Sequence, residues 1–117
     1  MTVKRQTIQR VTTPTALLVG LTDELAAACH QSLSDGGLKV LRVAHVAAAT
    51  ERIPVVMPQL VVTVSSLPPD EIDVLRDRCL AVGAEILQIT AEQDRRALGV
   101  LLKEAANVAL IRALQRT

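Results

Sequence analysis

The apolar positions of the chain fall in short blocks separated by longer amphipathic stretches. Ala16, Leu17, Leu18 and Val19 form an unbroken run that stops at Gly20, too short for a helix and suited to a strand buried on both faces. Thr22 then offers an N-cap for a helix with Asp23 and Glu24 in its first turn and Leu25, Ala28, Cys29 and Leu33 on one face, ended by Gly36-Gly37. Leu38 to Val43 reads as a second strand, and Val46 to Ile53 as a short Ala-rich helix that Pro54 terminates or kinks. Leu60 to Val64, β-branched and nearly all apolar, predicts a strand in the middle of a parallel sheet. Pro68-Pro69-Asp70 opens a helix that buries Ile72, Leu75, Cys79 and Val82 and closes at Gly83, and Glu85 to Ile89 supplies a fourth strand. Short apolar strands alternating with amphipathic helices imply parallel pairing through right-handed crossovers. The fold expected is a doubly wound α/β sheet, a flavodoxin-like three-layer sandwich.

The carboxyl end admits two readings. Asp94 to Gln115 has strong helix formers, no proline and apolar residues at Leu98, Leu101, Ala105, Val108 and Ala109, which supports one long helix interrupted only by Gly99. The rival is a fifth strand over residues 99–102 followed by a helix from Glu104 to Arg116. The long helix is preferred, because the rival leaves only a stub of helix between strands four and five. At the other end, residues 1–15 carry Lys4, Arg5 and Arg10 with no acid and run into Pro14; they read as a flexible basic tail ahead of a single domain over residues 16–117.

Composition narrows the function. At 117 residues and 50% hydrophobic content the chain holds one core and is not disordered. Thirteen basic against 12 acidic side chains give a net charge of +1, so no overall field draws it to nucleic acid or an anionic membrane. Phe, Tyr and Trp are absent, which removes the stacking platforms of single-strand binders and the aromatic cages for quaternary ammonium. Two distant cysteines and an amino terminus without an apolar h-region lead us to expect a cytoplasmic protein.

Few residues carry recognisable chemistry. Phosphate-loop, dinucleotide, nucleophile-elbow and zinc-helix motifs are all missing, so an enzyme is not expected and no cofactor is implied. Cys29, His30, His45 and Cys79 do not have zinc-ligand spacing; core cysteines and ordinary histidines are the plainer reading, and no metal is expected. Asp23 and Glu24 are better read as complements to a helix dipole than as an acid-base pair. Gly20, Ser65, Ser66 and Thr90 fall at the carboxyl ends of strands, where open α/β sheets bind ligands, with His45 the sole candidate base; they define an alternative as a small-ligand or hydrolytic site. Arg95, Arg96, Arg112 and Arg116 read as a solvated helix face. With the basic tail, Arg112 and Arg116 leave nucleic-acid binding as a second and weaker alternative.

The stretches PQLVVTVSSLPP and EILQITA resemble a response-regulator receiver domain. Pro58, Leu60, Val61, Val62, Thr63, Leu67 and Pro68 fall on the frame of that family's third strand, and Thr90 matches its switch hydroxyl. The resemblance places the phosphoacceptor aspartate at residue 64, which is Val64, and the metal-binding acidic pair at Gly20 and Leu21. None of the three offers a carboxylate. The family's lysine falls at Lys103 only in the rival reading of the terminus, with Glu104 where proline is usual. The resemblance therefore implies a degenerate receiver, a non-phosphorylatable adaptor or scaffold for protein partners in signalling. Its interaction surface is expected on the last helix, at Arg95, Leu98, Leu101, Leu102, Val108 and Arg112. If the fifth strand is missing, strand four is an open edge that invites a homodimer.

Overall fold

The computed structural model describes residues 13 to 116. Four parallel strands, β1 (Thr15–Val19), β2 (Lys39–Val43), β3 (Leu60–Val64) and β4 (Glu85–Ile89), alternate with four helices, α1 (Asp23–Asp35), α2 (Val46–Val56), α3 (Pro69–Val82) and α4 (Arg95–Arg116). The sheet order is β2-β1-β3-β4, so β1 and β3 share the centre and β2 and β4 are its edges. Both central strands are buried along nearly their whole length, as their unbroken apolar text requires.

Each face of the sheet has its own core. Ala16, Leu18, Leu60, Val62 and Ile89 point to one side and pack with Leu25, Cys29 and Leu33 of α1 and Leu98, Leu102 and Ala106 of α4. Leu17, Val19 and Val61 point to the other and meet Val46, Ala49 and Ile53 of α2 and Leu75 and Cys79 of α3. The period-two alternation of β1 and β3 thus feeds two layers of helices, which is the expected three-layer α/β sandwich.

Local signals act as the sequence reading requires, with four departures, the second of them from the rival reading of the terminus and not from the preferred long helix. Thr22 caps α1, its Oγ1 accepting the Leu25 N–H at 3.3 Å, and Gly83 closes α3 at φ +74°. The first departure is Pro54, which does not end α2: the helix runs on to Val56 and stops at Met57 in the left-handed region. Pro54 lies in the last turn and is exposed, where its missing N–H forfeits a single helical bond. Secondly, residues 99–102 are helical, and among the described residues no strand follows β4, which removes the rival reading of the terminus. Thirdly, Thr15 belongs to β1, held by its N–H to Gln59 Oε1 at 3.0 Å, so the sheet starts one residue inside the expected tail. The rest of that tail, residues 1–12, lies outside the described residues.

The fourth departure concerns the phase of α4. Its inward stripe is Leu98, Leu102, Ala106, Ala109 and Ala113. Leu101 and Ala105 lie at the margin of the core, and Val108 is exposed. The close seat of α4 on α1 explains the choice of small residues. Gly36 ends α1 so near to α4 that a Cβ there would stand 2.8 Å from the Ala106 Cβ.

Candidate functional site

The carboxyl ends of the strands gather most of the residues singled out above. Gly20 follows β1 with φ +70°, a left-handed turn that favours glycine, and its N–H donates to Val43 O of β2 at 3.1 Å. Leu21 is buried and belongs to the core beneath α1. Val64 ends β3 and packs half-buried against the same core, and Ser65 donates its N–H to Ile89 O at 2.8 Å. The side chains of Ser65, Ser66 and Thr90 are exposed. Gly20, Leu21, Val64 and Thr90 thus lie at the carboxyl ends of β1, β3 and β4, and the first three present no side-chain oxygen. Lys103 is not with them: it lies in the third turn of α4 and lines a groove with Ser32, Asp35, Gly36 and Gly99 at the carboxyl end of α1.

The charged groups around the strand ends are tied to one another. Arg42, the last polar residue of β2, reaches across β1 to Leu21 O at 3.0 Å and to Asp23 Oδ1 at 2.8 Å, and Arg95 of α4 pairs with Glu24 at 3.5 Å. Asp23 and Glu24 thus close the loop after β1 through ion pairs as well as sitting on the positive end of α1. Sequence reading passed over Arg42 and placed Thr63 on the third strand without assigning its hydroxyl a role. Thr63 is fully buried at the end of β3, and its Oγ1 donates to Val19 O at 3.0 Å. The available signal was a hydroxyl inside an otherwise apolar central strand, which must find a main-chain acceptor.

His45 is occupied as the N-cap of α2, its Nδ1 accepting the Ala48 N–H at 3.2 Å. A ring that accepts at Nδ1 carries its proton on Nε2, so the neutral imidazole offers no second lone pair for a general base. His45 lines a groove of about 490 Å³ between α2 and α3 with Thr50, Asp70, Glu71 and Val74. The two cysteines lie on opposite faces of the sheet, in separate cores, and cannot share a metal; among the described residues no cluster of ligating side chains has the geometry of a metal site. Burial pushes both thiols up to about 11, with the nearby Arg95 guanidinium opposing the rise at Cys29. Neither is a ready nucleophile.

The expected interaction surface on α4 is divided by the structure. Leu98 and Leu102 are core residues and cannot meet a partner without unfolding, because α4 turns them onto the sheet and α1. Arg95, Val108 and Arg112 are exposed, Leu101 is half-buried, and Arg112 pairs with Glu85 of β4 at 3.4 Å. Leu101 and Val108 line a groove of about 190 Å³ along the outer edge of the sheet with Leu60, Glu85, Ile86, Leu87, Glu104 and Ala105. The basic side chains Lys4, Arg5 and Arg10, and that of Arg116, lie outside the described residues.

Strand order and two helix layers define a receiver-like α/β fold. Comparison with solved structures gives the same class. The chain is similar to a response regulator from Thermotoga maritima with a TM-score of 0.61 and 16% identity, over 81% of this chain and 79% of that one. It is similar to the signal receiver domain of a protein described as a Luxo repressor from Vibrio parahaemolyticus with a TM-score of 0.58 and 19% identity, over 91% of this chain and 99% of that one. No family model matches the chain. No curated protein matches it. At these identities the likeness is one of fold, and function rests on the residues at the site. No helix of the described residues is long and apolar enough to cross a membrane.

Proposed function

We propose that the chain is a receiver-like signalling module that takes no phosphoryl group and works through contact with protein partners. The observation that carries this reading is the set of side chains at the strand ends: nothing at residue 20, and alkyl groups at 21 and 64. An acyl phosphate needs a carboxylate, and Mg²⁺ needs hard oxygen ligands, and Gly20, Leu21 and Val64 supply neither. Leu21 and Val64 are moreover packed into the core, so the phosphate chemistry has no room there as well as no ligands.

Incubation with acetyl phosphate and Mg²⁺, followed by intact-mass measurement, tests the proposal. The expected result is an unchanged mass. A gain of one phosphoryl group that hydroxylamine removes would overturn it. The small-ligand or hydrolytic alternative draws no support from the geometry, since Ser65 and Ser66 are exposed and His45 is committed to its cap.

A further inference from the structure

We infer that two copies of this chain join edge to edge through β4, continuing the sheet across a two-fold axis at Leu87 and pairing α4 with the partner's α4 antiparallel. The inference goes further along the protein-contact reading above and names the first partner as the chain itself. It starts from a difference between the two sheet edges. β2 carries exposed Lys39 and Arg42, the kind of charge that keeps a strand edge from pairing with another. β4 carries no cation, and its acid Glu85 is neutralised by Arg112.

The free edge fixes its own register. The Glu85 N–H donates to Gln59 O at 2.9 Å and Ile89 O accepts from Ser65 at 2.8 Å, so residues 85, 87 and 89 turn their peptide groups toward β3. In a parallel ladder the alternate residues, Ile86 and Gln88, then point theirs outward. An antiparallel copy centred on Leu87 sets Ile86 opposite the partner's Gln88 and Gln88 opposite the partner's Ile86. That register satisfies every outward N–H and C=O of the strand; a centre on Ile86 or on Gln88 leaves one residue of each copy without a partner inside the strand.

Helix α4 has the same centre. Arg112 lies five turns along from Asp94, the residue just ahead of α4 whose Oδ2 accepts the Ala97 N–H at 3.2 Å, and Leu101, Ala105 and Val108 lie close to the line between them. The stripe is acidic at its start, apolar in its middle and basic at its end. Turned about its midpoint near residue 103, it sets Asp94 against the partner's Arg112, a guanidinium that would then be shared with the Glu85 it already meets at 3.4 Å within its own chain, and Leu101 against the partner's Ala105. The middle of this stripe faces β4, because Leu101 and Ala105 line one groove with Glu85, Ile86 and Leu87. A single two-fold therefore serves strand and helix together, which is the condition for an isologous dimer.

Sedimentation equilibrium at about 100 μM tests the inference, with an expected mass twice the 12.5 kDa of the chain. Arg112→Asp alone sets acid against acid, and Asp94→Arg alone sets base against base; each should weaken the dimer at least about tenfold. An equimolar mixture of the two variants should restore it, since each altered residue then meets an opposite charge. Far-UV circular dichroism separates loss of pairing from loss of fold, and hydrogen exchange should slow at the amides of Ile86 and Gln88 in the dimer. A monomer at that concentration leaves the edge to a strand of another protein and overturns the inference. So does a dimer that survives both single variants, or a mixture that fails to re-form it. None of these outcomes bears on the acetyl phosphate test, so the two readings fail separately.

Discussion

The helical state of residues 99–102 can be tested with two alanine substitutions, at Val100 and Leu102, which a helix sets about 200° apart within one turn. In α4, Leu102 is 0% exposed and Val100 is 56% exposed, whereas in a strand the two would share a face. Leu102→Ala removes three buried carbons from the core between α1 and the sheet, where Leu18, Leu33 and Leu98 are themselves buried. Truncations of this kind cost about 2–5 kcal/mol, the upper part of the range where the surroundings cannot collapse. Val100→Ala leaves a solvated position with better helix propensity, and its effect should stay within about 0.5 kcal/mol. Because the chain has no Trp or Tyr, the assay is urea unfolding followed by circular dichroism, run dilute enough to keep the chain monomeric. With a slope of about 1–3 kcal/mol per molar urea, a loss of about 3 kcal/mol lowers the midpoint by about 1–3 M. Equal losses for the two variants would refute the helical assignment, since only a common face gives Val100 and Leu102 a common burial.

Three further outcomes follow from particular contacts. Gly36→Ala should destabilise by about 1–3 kcal/mol because its Cβ would meet that of Ala106 at 2.8 Å, and the double variant with Ala106→Gly should recover much of the loss in the same urea assay. Thr63→Val keeps the shape and removes the buried donor to Val19 O, so a loss of about 1 kcal/mol is expected; no loss would mean that the hydroxyl contributes nothing net. Both thiols are held neutral up to about 11 in the folded chain against an ordinary value of 9.0, so the unfolded chain ionises first. Stability should therefore be unaffected below about pH 8.5 and fall between about pH 9 and 11, by on the order of 2 kcal/mol per thiol, and Cys29→Ala and Cys79→Ala should each flatten that slope in pH-dependent unfolding.

What could be read from the text was whatever burial on both faces writes as an uninterrupted apolar run. β1 and β3 are of this kind, and with Thr22 and Gly83 as punctuation they sufficed for the element order and for a central, parallel β3; the full strand order and the face each helix covers were not written there. The phase of α4 was harder, because it has apolar residues on two faces: Leu98, Leu102 and Ala106 go inward, while Val100, Val108, Ile111 and Leu114 are exposed. A moment computed along such a helix has little direction, and only the small residues that admit α1 at Gly36 decide which side is buried. Pro54 misled because a proline loses only its own bond to the carbonyl four residues back, and the two residues after it can stay helical in a last turn closed at Met57.

The strand-end site raises a different question, because there the sequence is informative through what it replaces. Leu21 has 6% exposure and contributes to the core with Leu25 and Ile89, so its position has become part of the hydrophobic interior. A carboxylate placed at 21 would be taken out of water beside leucines, with Arg42 already engaged by Leu21 O and Asp23 and Arg95 by Glu24. Leu21→Asp should therefore destabilise the chain without creating a metal site. The same holds for the edge of the sheet. The first three residues of β4 line a groove with Leu101 and Val108, so along this edge outward main-chain groups and an apolar border lie in one place. A strand added here exchanges water for direct main-chain pairing at Ile86 and Gln88, which is why their register, more than the hydrophobicity of α4, argues for a strand as the thing that binds there.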